Sequence, residues 1–244
     1  MESVAAYRKK VVEEHGTEFK LHTDVAGALE DAVVTSRSHP TLVHLVLDMF
    51  MVQSAKCHAM VSLVAQHGCM EDAATLARRL LELSVQAIYI GSESEEQERR
   101  GRAGQYLAYL WRQLPQRIKH RFPPHVRRRW TGIGRGYGRR VPQKAKRWGP
   151  SFFTMFEAIG SEALYRSDYA LLSSIAHGSA DDQVMQFSGR QVAIQGHDVA
   201  PILLVYSSRY YLATAEVWRQ CFGILSDETF GGLSKRLLEW EYNR

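Results

Sequence analysis

Two helical spacings in this chain gather groups able to move a proton or hold a charge. In Ala77-Arg78-Arg79-Leu80-Leu81-Glu82-Leu83, Arg78 precedes Glu82 by four residues and Arg79 by three, so either guanidinium can reach the carboxylate along one helix. Glu82, Gln86 and Tyr89 share a stripe of an otherwise apolar segment, so the carboxylate is partly interior and needs a partner. Further on, Tyr169, Ser173 and His177 step by four and present two hydroxyls and an imidazole on one face, with Gly178 closing the helix behind them. A histidine on a last turn meets the negative end of the helix, which favours its protonated form. The chemistry open to such a set is acid–base transfer beside a guanidinium. The plainer reading makes Tyr169, Ser173 and His177 a hydrogen-bonded polar cluster closed against Glu82. It takes precedence, because buried polar groups need partners whatever the function.

Charge singles out a third region. From Arg112 to Trp148 the basic residues are Arg112, Arg117, Lys119, Arg121, Arg127, Arg128, Arg129, Arg135, Arg139, Arg140, Lys144, Lys146 and Arg147, and no Asp or Glu interrupts them. All 26 carboxylates of the chain lie elsewhere, so a net charge of +5 conceals an acidic body with one basic insert at about 112–148. Charges at that density repel unless a polyanion or an acidic surface neutralises them. The expected nucleic-acid contacts are Arg127, Arg128, Arg129, Trp130, Arg135, Arg139, Arg140, Lys144, Lys146 and Arg147, with Trp130, Phe122, Tyr137 and Trp148 available to stack on unpaired bases. The alternative is a non-enzymatic interaction protein, whose insert docks an acidic partner or the acidic body of a second copy in a homo-oligomer.

Other chemistries find little support. His44 and Asp48 stand one turn apart, with His58, His67 and Cys69 not far on, but no third ligand arrives at metal spacing, so no metal or cofactor is expected. Gly132-Ile133-Gly134-Arg135-Gly136-Tyr137-Gly138 lacks the preceding strand and the Lys-Ser/Thr ending of a phosphate loop and reads as a flexible basic loop. Three cysteines without a CxxC pair argue against a disulfide framework. The N-terminal Met-Glu-Ser-Val-Ala-Ala-Tyr-Arg-Lys-Lys lacks the order of a signal peptide, and no apolar run is long enough to span a bilayer. A soluble cytoplasmic protein without membrane contact is the expectation.

The elements that must position these groups are helical. With 244 residues, 45% hydrophobic and 23% charged, the chain can bury a core, which excludes a disordered or fibrous class. Val25, Leu29 and Val33 form a stripe over 24–36. Thr41 to about His67 reads as a long buried helix stopped by Gly68. Glu71–Ile90 repeats Ala73, Leu76, Ala77, Leu80, Leu83, Ala87 and Ile90 at three- and four-residue steps, and Glu93–Glu98 opens a helix running to about Leu114. Prolines and glycines break the insert into short helical pieces and loop. Helix resumes at Ser151–Ile159, Asp168–His177, Pro201 to about Leu225 and from Asp227. A weak alternation over 183–197 suggests a small β-hairpin. The prediction is one all-α domain over 1–244, a helical bundle with a loop-rich basic insert and one hairpin.

The order Arg-x-x-x-Glu, then Trp130-Thr131-Gly132, then Tyr-x-x-x-Ser-x-x-x-His-Gly resembles the bacterial domain-of-unknown-function family 5677 over about Leu76 to Ser179. That resemblance implies a helical bundle and little biochemistry. A more distant similarity is to the HEPN superfamily, helical proteins of toxin–antitoxin and antiphage defence systems, many of which cut RNA. Its motif sets an arginine ahead of a histidine; aligned on His177-Gly178, this chain has Leu172 in the arginine's place and Ser173 next. The resemblance implies metal-independent RNA cleavage, with His177 as the base on the 2′-hydroxyl and a guanidinium from Arg78, Arg79 or Arg166 at the crowded phosphorane.

Overall fold

The computed structural model describes residues 4–34, 38–138, 147–176, 192–224 and 227–242, and among these every regular element is a helix. They are α1 Val4–Glu14, α2 Gly16–Val34, α3 Leu42–Gln66, α4 Met70–Gly91, α5 Glu96–Gln113, α6 Gln116–Lys119, α7 Pro124–Tyr137, α8 Phe152–Ala158, α9 Glu162–Leu164, α10 Ala170–Ala176, α11 Val192–Phe222 and α12 Asp227–Tyr242. A π-helical turn, Tyr165–Tyr169, joins α9 to α10. The all-α bundle is as the apolar spacing predicts. The hairpin is not: its second half, 192–197, is the first turns of α11, while 183–191 and His177 lie outside the described residues. A four-residue alternation is too short to distinguish a strand from the end of a helix that continues for 31 residues.

The core is a three-helix unit of α3, α4 and α11, with α2 against α11, α5 against α3, and α8 and α10 against α4. Thr41 caps α3 by accepting from the His44 N–H, and Gly68, with φ of 78°, ends it in the left-handed conformation that glycine takes without strain. Of the stripe read from the sequence, Ala73, Ala77, Leu80, Leu83, Ala87 and Ile90 are fully buried, and Leu76 is partly buried against the same core.

A polar seam crosses this core. His22 of α2 and His58 of α3 stack with ring centroids 3.6 Å apart, and His58 Nε2 lies 3.1 Å from Ser208 Oγ. Ser208 gives its own proton to the Leu204 carbonyl, so His58 Nε2 donates to it, leaving His58 Nδ1 buried without a partner among the described residues. Burial holds the pKa of His22 down at about 4 and that of His58 well below its ordinary value, so both rings are neutral at pH 7. Among the described residues no helix is long and apolar enough to cross a membrane.

Candidate functional site

Glu82 faces the interior of α4 with 13% of its side chain exposed, and takes both neighbouring arginines: Arg78 Nε at 3.5 Å and Arg79 Nη1 at 3.3 Å. Arg79 reaches past it to Gln53 Oε1 of α3 at 3.4 Å. The Arg78 guanidinium lies 5.7 Å from the Tyr169 ring, so the first pattern meets the first residue of the second, beside the packing of α10 on α4. Burial, then the charge of Glu82, raises the pKa of the Tyr169 hydroxyl, keeping it protonated at neutral pH. Ser173 Oγ is buried without a partner among the described residues. Leu172 is fully buried in the core.

One turn further along α4, Gln86 Nε2 donates to the Glu82 carbonyl at 2.8 Å, and its Oε1 accepts from Trp148 Nε1 at 2.7 Å. Trp148 is buried edge-on against Tyr106, so the indole read as a base-stacking group is a structural plug. Between α4, α5 and the strap 147–150 lies a cavity of about 300 Å³ whose lining includes Arg79, Glu82, Tyr109, Arg147, Trp148 and Phe152.

The π-helical turn contains a residue that the sequence gives little sign of. Asp168 is buried, accepting from Tyr210 Oη of α11 at 2.7 Å and from Ser167 Oγ at 2.7 Å, with Arg209 Nη1 at 3.7 Å. Burial and the charge of Asp168 push the Tyr210 pKa well up, so this phenol remains a donor. The bonds tie the turn that precedes α10 to α11.

The basic insert folds onto α5. Gly132–Tyr137, expected as loop, belongs to α7, because Ile133 is buried and the Tyr137 ring seats over Gly104, where an added Cβ would fall 2.5 Å from it. Arg112 Nη2 donates to the Gly138 carbonyl at 3.1 Å and closes the pair. Trp130 stacks on Trp111 at 5.8 Å, Phe122 lies 6.0 Å from the same ring, and Lys119 Nζ stands 5.3 Å over it. These aromatics are therefore used within the fold. Beside them opens a pocket of about 680 Å³ lined by Lys119, His120, Arg127, Arg128 and Arg135, with no carboxylate among its lining residues. Arg127 Nε is buried without a partner among the described residues. Arg129 is exposed on α7, and Arg139, Arg140, Lys144 and Lys146 lie outside the described residues.

A family model described as "Family of unknown function (DUF5677)" matches residues 44–188, more than half of the chain. The chain belongs to the DUF5677 family. The match extends further towards the N-terminus than the motifs suggested and takes in α3 as well as the two patterned helices. No curated protein and no solved structure matches this DUF5677 chain. Within the family segment, sequence reasoning missed Asp168, whose polar neighbours Arg166 and Ser167 look like surface. It also missed Gln53, which reaches the site from α3. The π-helical turn, which only the structure reveals, draws attention to Asp168, since such turns collect at functional places. Among the described residues no group of three or more His, Cys, Asp or Glu is placed to hold a metal.

Proposed function

We propose that this chain is an RNA-directed, nucleic-acid-binding protein that holds the phosphate backbone on the basic face of α6 and α7, in a bacterial defence or toxin–antitoxin setting. The carrying observation is the pocket lined by Lys119, His120, Arg127, Arg128 and Arg135 with no carboxylate on its walls. A concave surface of one sign concentrates field and attracts a polyanion. The aromatic rings beside it already stack on one another, so the reading is of backbone binding with little base preference. RNA is favoured over DNA by the HEPN resemblance, which also motivates a cleavage role for His177 with Arg78 or Arg79. Labelled single-stranded RNA titrated at several salt concentrations tests the binding: affinity should fall steeply between roughly 50 and 200 mM salt. Absence of binding at the low end sinks the reading, and equal displacement by polyglutamate would instead indicate an acidic protein partner. For the cleavage role, a stable His177→Gln protein with full nuclease activity would eliminate His177 as the proton-transfer group.

A second reading, association with protein, has one observation of its own. Leu238 is 52% exposed beside a groove of about 320 Å³ between α11 and α12 that Leu212, Phe230 and Leu237 line. A Leu238→Lys variant that shifts the oligomeric state seen by light scattering would favour it.

A further inference from the structure

The cavity between α4, α5 and the strap 147–150 is distinct from the basic pocket, although both draw on α5: Tyr109 and Leu110 line the first and Trp111 the second. Its chemistry differs as well. Two guanidiniums, Arg79 and Arg147, face one carboxylate, Glu82, so the enclosed charge is net positive. Arg79 is held at its place by Glu82 at 3.3 Å and by Gln53 at 3.4 Å, which pre-organises its remaining donors. Arg147 is exposed at the mouth and close enough to Tyr169 to act on its hydroxyl electrostatically. The walls are aromatic, with Tyr109 and Phe152 half-buried around the Trp148 plug. Trp148 is itself fixed by its bond to Gln86, so the slot keeps its shape without an occupant. A volume of about 300 Å³ lies at the small end of ligand sites.

Positive charge at a mouth, aromatic walls and a rigid floor select a small ligand with a planar ring at one end and an anion at the other. We infer that this cavity binds a single nucleoside monophosphate unit, its phosphate on Arg147 and Arg79 and its base between Tyr109 and Phe152. The phosphate matches the fork of an arginine, and base-on-aromatic stacking tolerates any of the four bases. The shared chemistry has two sources, a free mononucleotide or one residue of a bound single strand. The inference does not depend on the basic pocket holding RNA.

Isothermal titration calorimetry of the full chain with AMP, CMP, GMP and UMP, beside adenosine and inorganic phosphate, tests it. Saturable binding of the mononucleotides is expected, with adenosine and phosphate each much weaker, because each supplies half of the ligand. Arg147→Gln should weaken mononucleotide binding roughly tenfold, and its circular dichroism and melting should match the parent, since this side chain is exposed. Three results overturn the inference: no mononucleotide binding, phosphate binding as tightly as AMP, or Arg147→Gln binding unchanged. An Arg127→Ser/Arg128→Ser/Arg135→Ser protein separates this from the function proposed above, because it should lose RNA affinity and keep mononucleotide affinity. Displacement of labelled single-stranded RNA by AMP identifies the nucleotide as part of a strand; simultaneous binding of both identifies it as free.

Discussion

The bundle and the basic insert handle polarity in opposite ways. Within the bundle the charged groups answer one another: Glu82 takes Arg78 and Arg79, Asp168 takes Tyr210, Ser167 and Arg209, and the stacked His22 and His58 stay neutral. On the insert, Lys119, Arg127, Arg128 and Arg135 line one pocket with no carboxylate on its walls. A group whose partner is internal supports the fold, and its loss is read in stability. A group whose partner must come from outside supports binding, and its loss is read in affinity. The two regions should therefore separate cleanly under mutation and under pH.

The largest expected effect lies in the bundle and needs no mutation. The pKa of folded His22 is lowered by burial from its ordinary 6.5 to about 4. Between those pH values the unfolded chain binds the proton that the folded chain refuses, so stability is full above the ordinary value and falls as pH drops towards 4. His22 alone amounts to ~3 kcal/mol, with His58 acting in the same direction. Urea melts at pH 7.5 and pH 4.5 measure it. His22→Phe should remove much of the difference, and an acid sensitivity unchanged in that variant would locate it elsewhere.

Next comes Asp168→Ala. It removes the acceptor from the Tyr210 phenol, itself about 2% exposed, and should cost ~1–3 kcal/mol in a urea melt. Tyr210→Phe should cost less, because Ser167 and Arg209 still face the carboxylate. Equal costs for the two changes would mean that the turn is held by packing and not by this bond.

How much of this was legible follows from where each partner lies. The α3 and α4 helices could be read because their apolar residues recur at three and four steps, and the Glu82 pair because its partners lie on the same turn. Asp168 was hidden because the residue that explains it, Tyr210, is 42 positions away. Trp148 stands in a run of arginines and lysines and looks like a nucleic-acid contact until Gln86, 62 positions earlier, claims its N–H. The glycines of α7 each disfavour helix, yet Ile133, Trp130 and Tyr137 pack along α5 strongly enough to outweigh them. Local spacing gave the elements; only long-range pairing told structural polar groups from available ones.

The insert provides the third test. Arg127→Ser/Arg128→Ser/Arg135→Ser should lower RNA affinity roughly tenfold or more and flatten the salt dependence by about two in the log–log slope, at about 0.7 per single-strand phosphate contact. Its melting free energy should stay within ~1 kcal/mol of the parent, since Arg128 and Arg135 are exposed and the buried Nε of half-buried Arg127 has no partner among the described residues to lose. A triple variant that melts early while RNA affinity holds would reverse the contrast between the two regions.

The smallest expected effect falls on Glu82, and the reason lies in its partners. Removing one member of a buried ion pair is costly when the other is left without water or a new partner. Glu82 is the enclosed member, at 13% exposure, whereas the Arg78 and Arg79 side chains are 24% and 43% exposed and can turn their charges outwards. Glu82→Leu removes the enclosed charge, fills its space with an apolar side chain on a helix already rich in leucine, and leaves two cations near solvent. Its cost should stay within ~1 kcal/mol, below that of Asp168→Ala, although both changes delete an interior carboxylate. Arg79→Leu reverses the logic only in part, because Arg78 at 3.5 Å still answers the carboxylate. Urea melts of Glu82→Leu, Arg79→Leu and the double variant give the coupling directly. A coupling energy well above that of an exposed pair would show that Glu82 is sealed by its surroundings as firmly as Asp168.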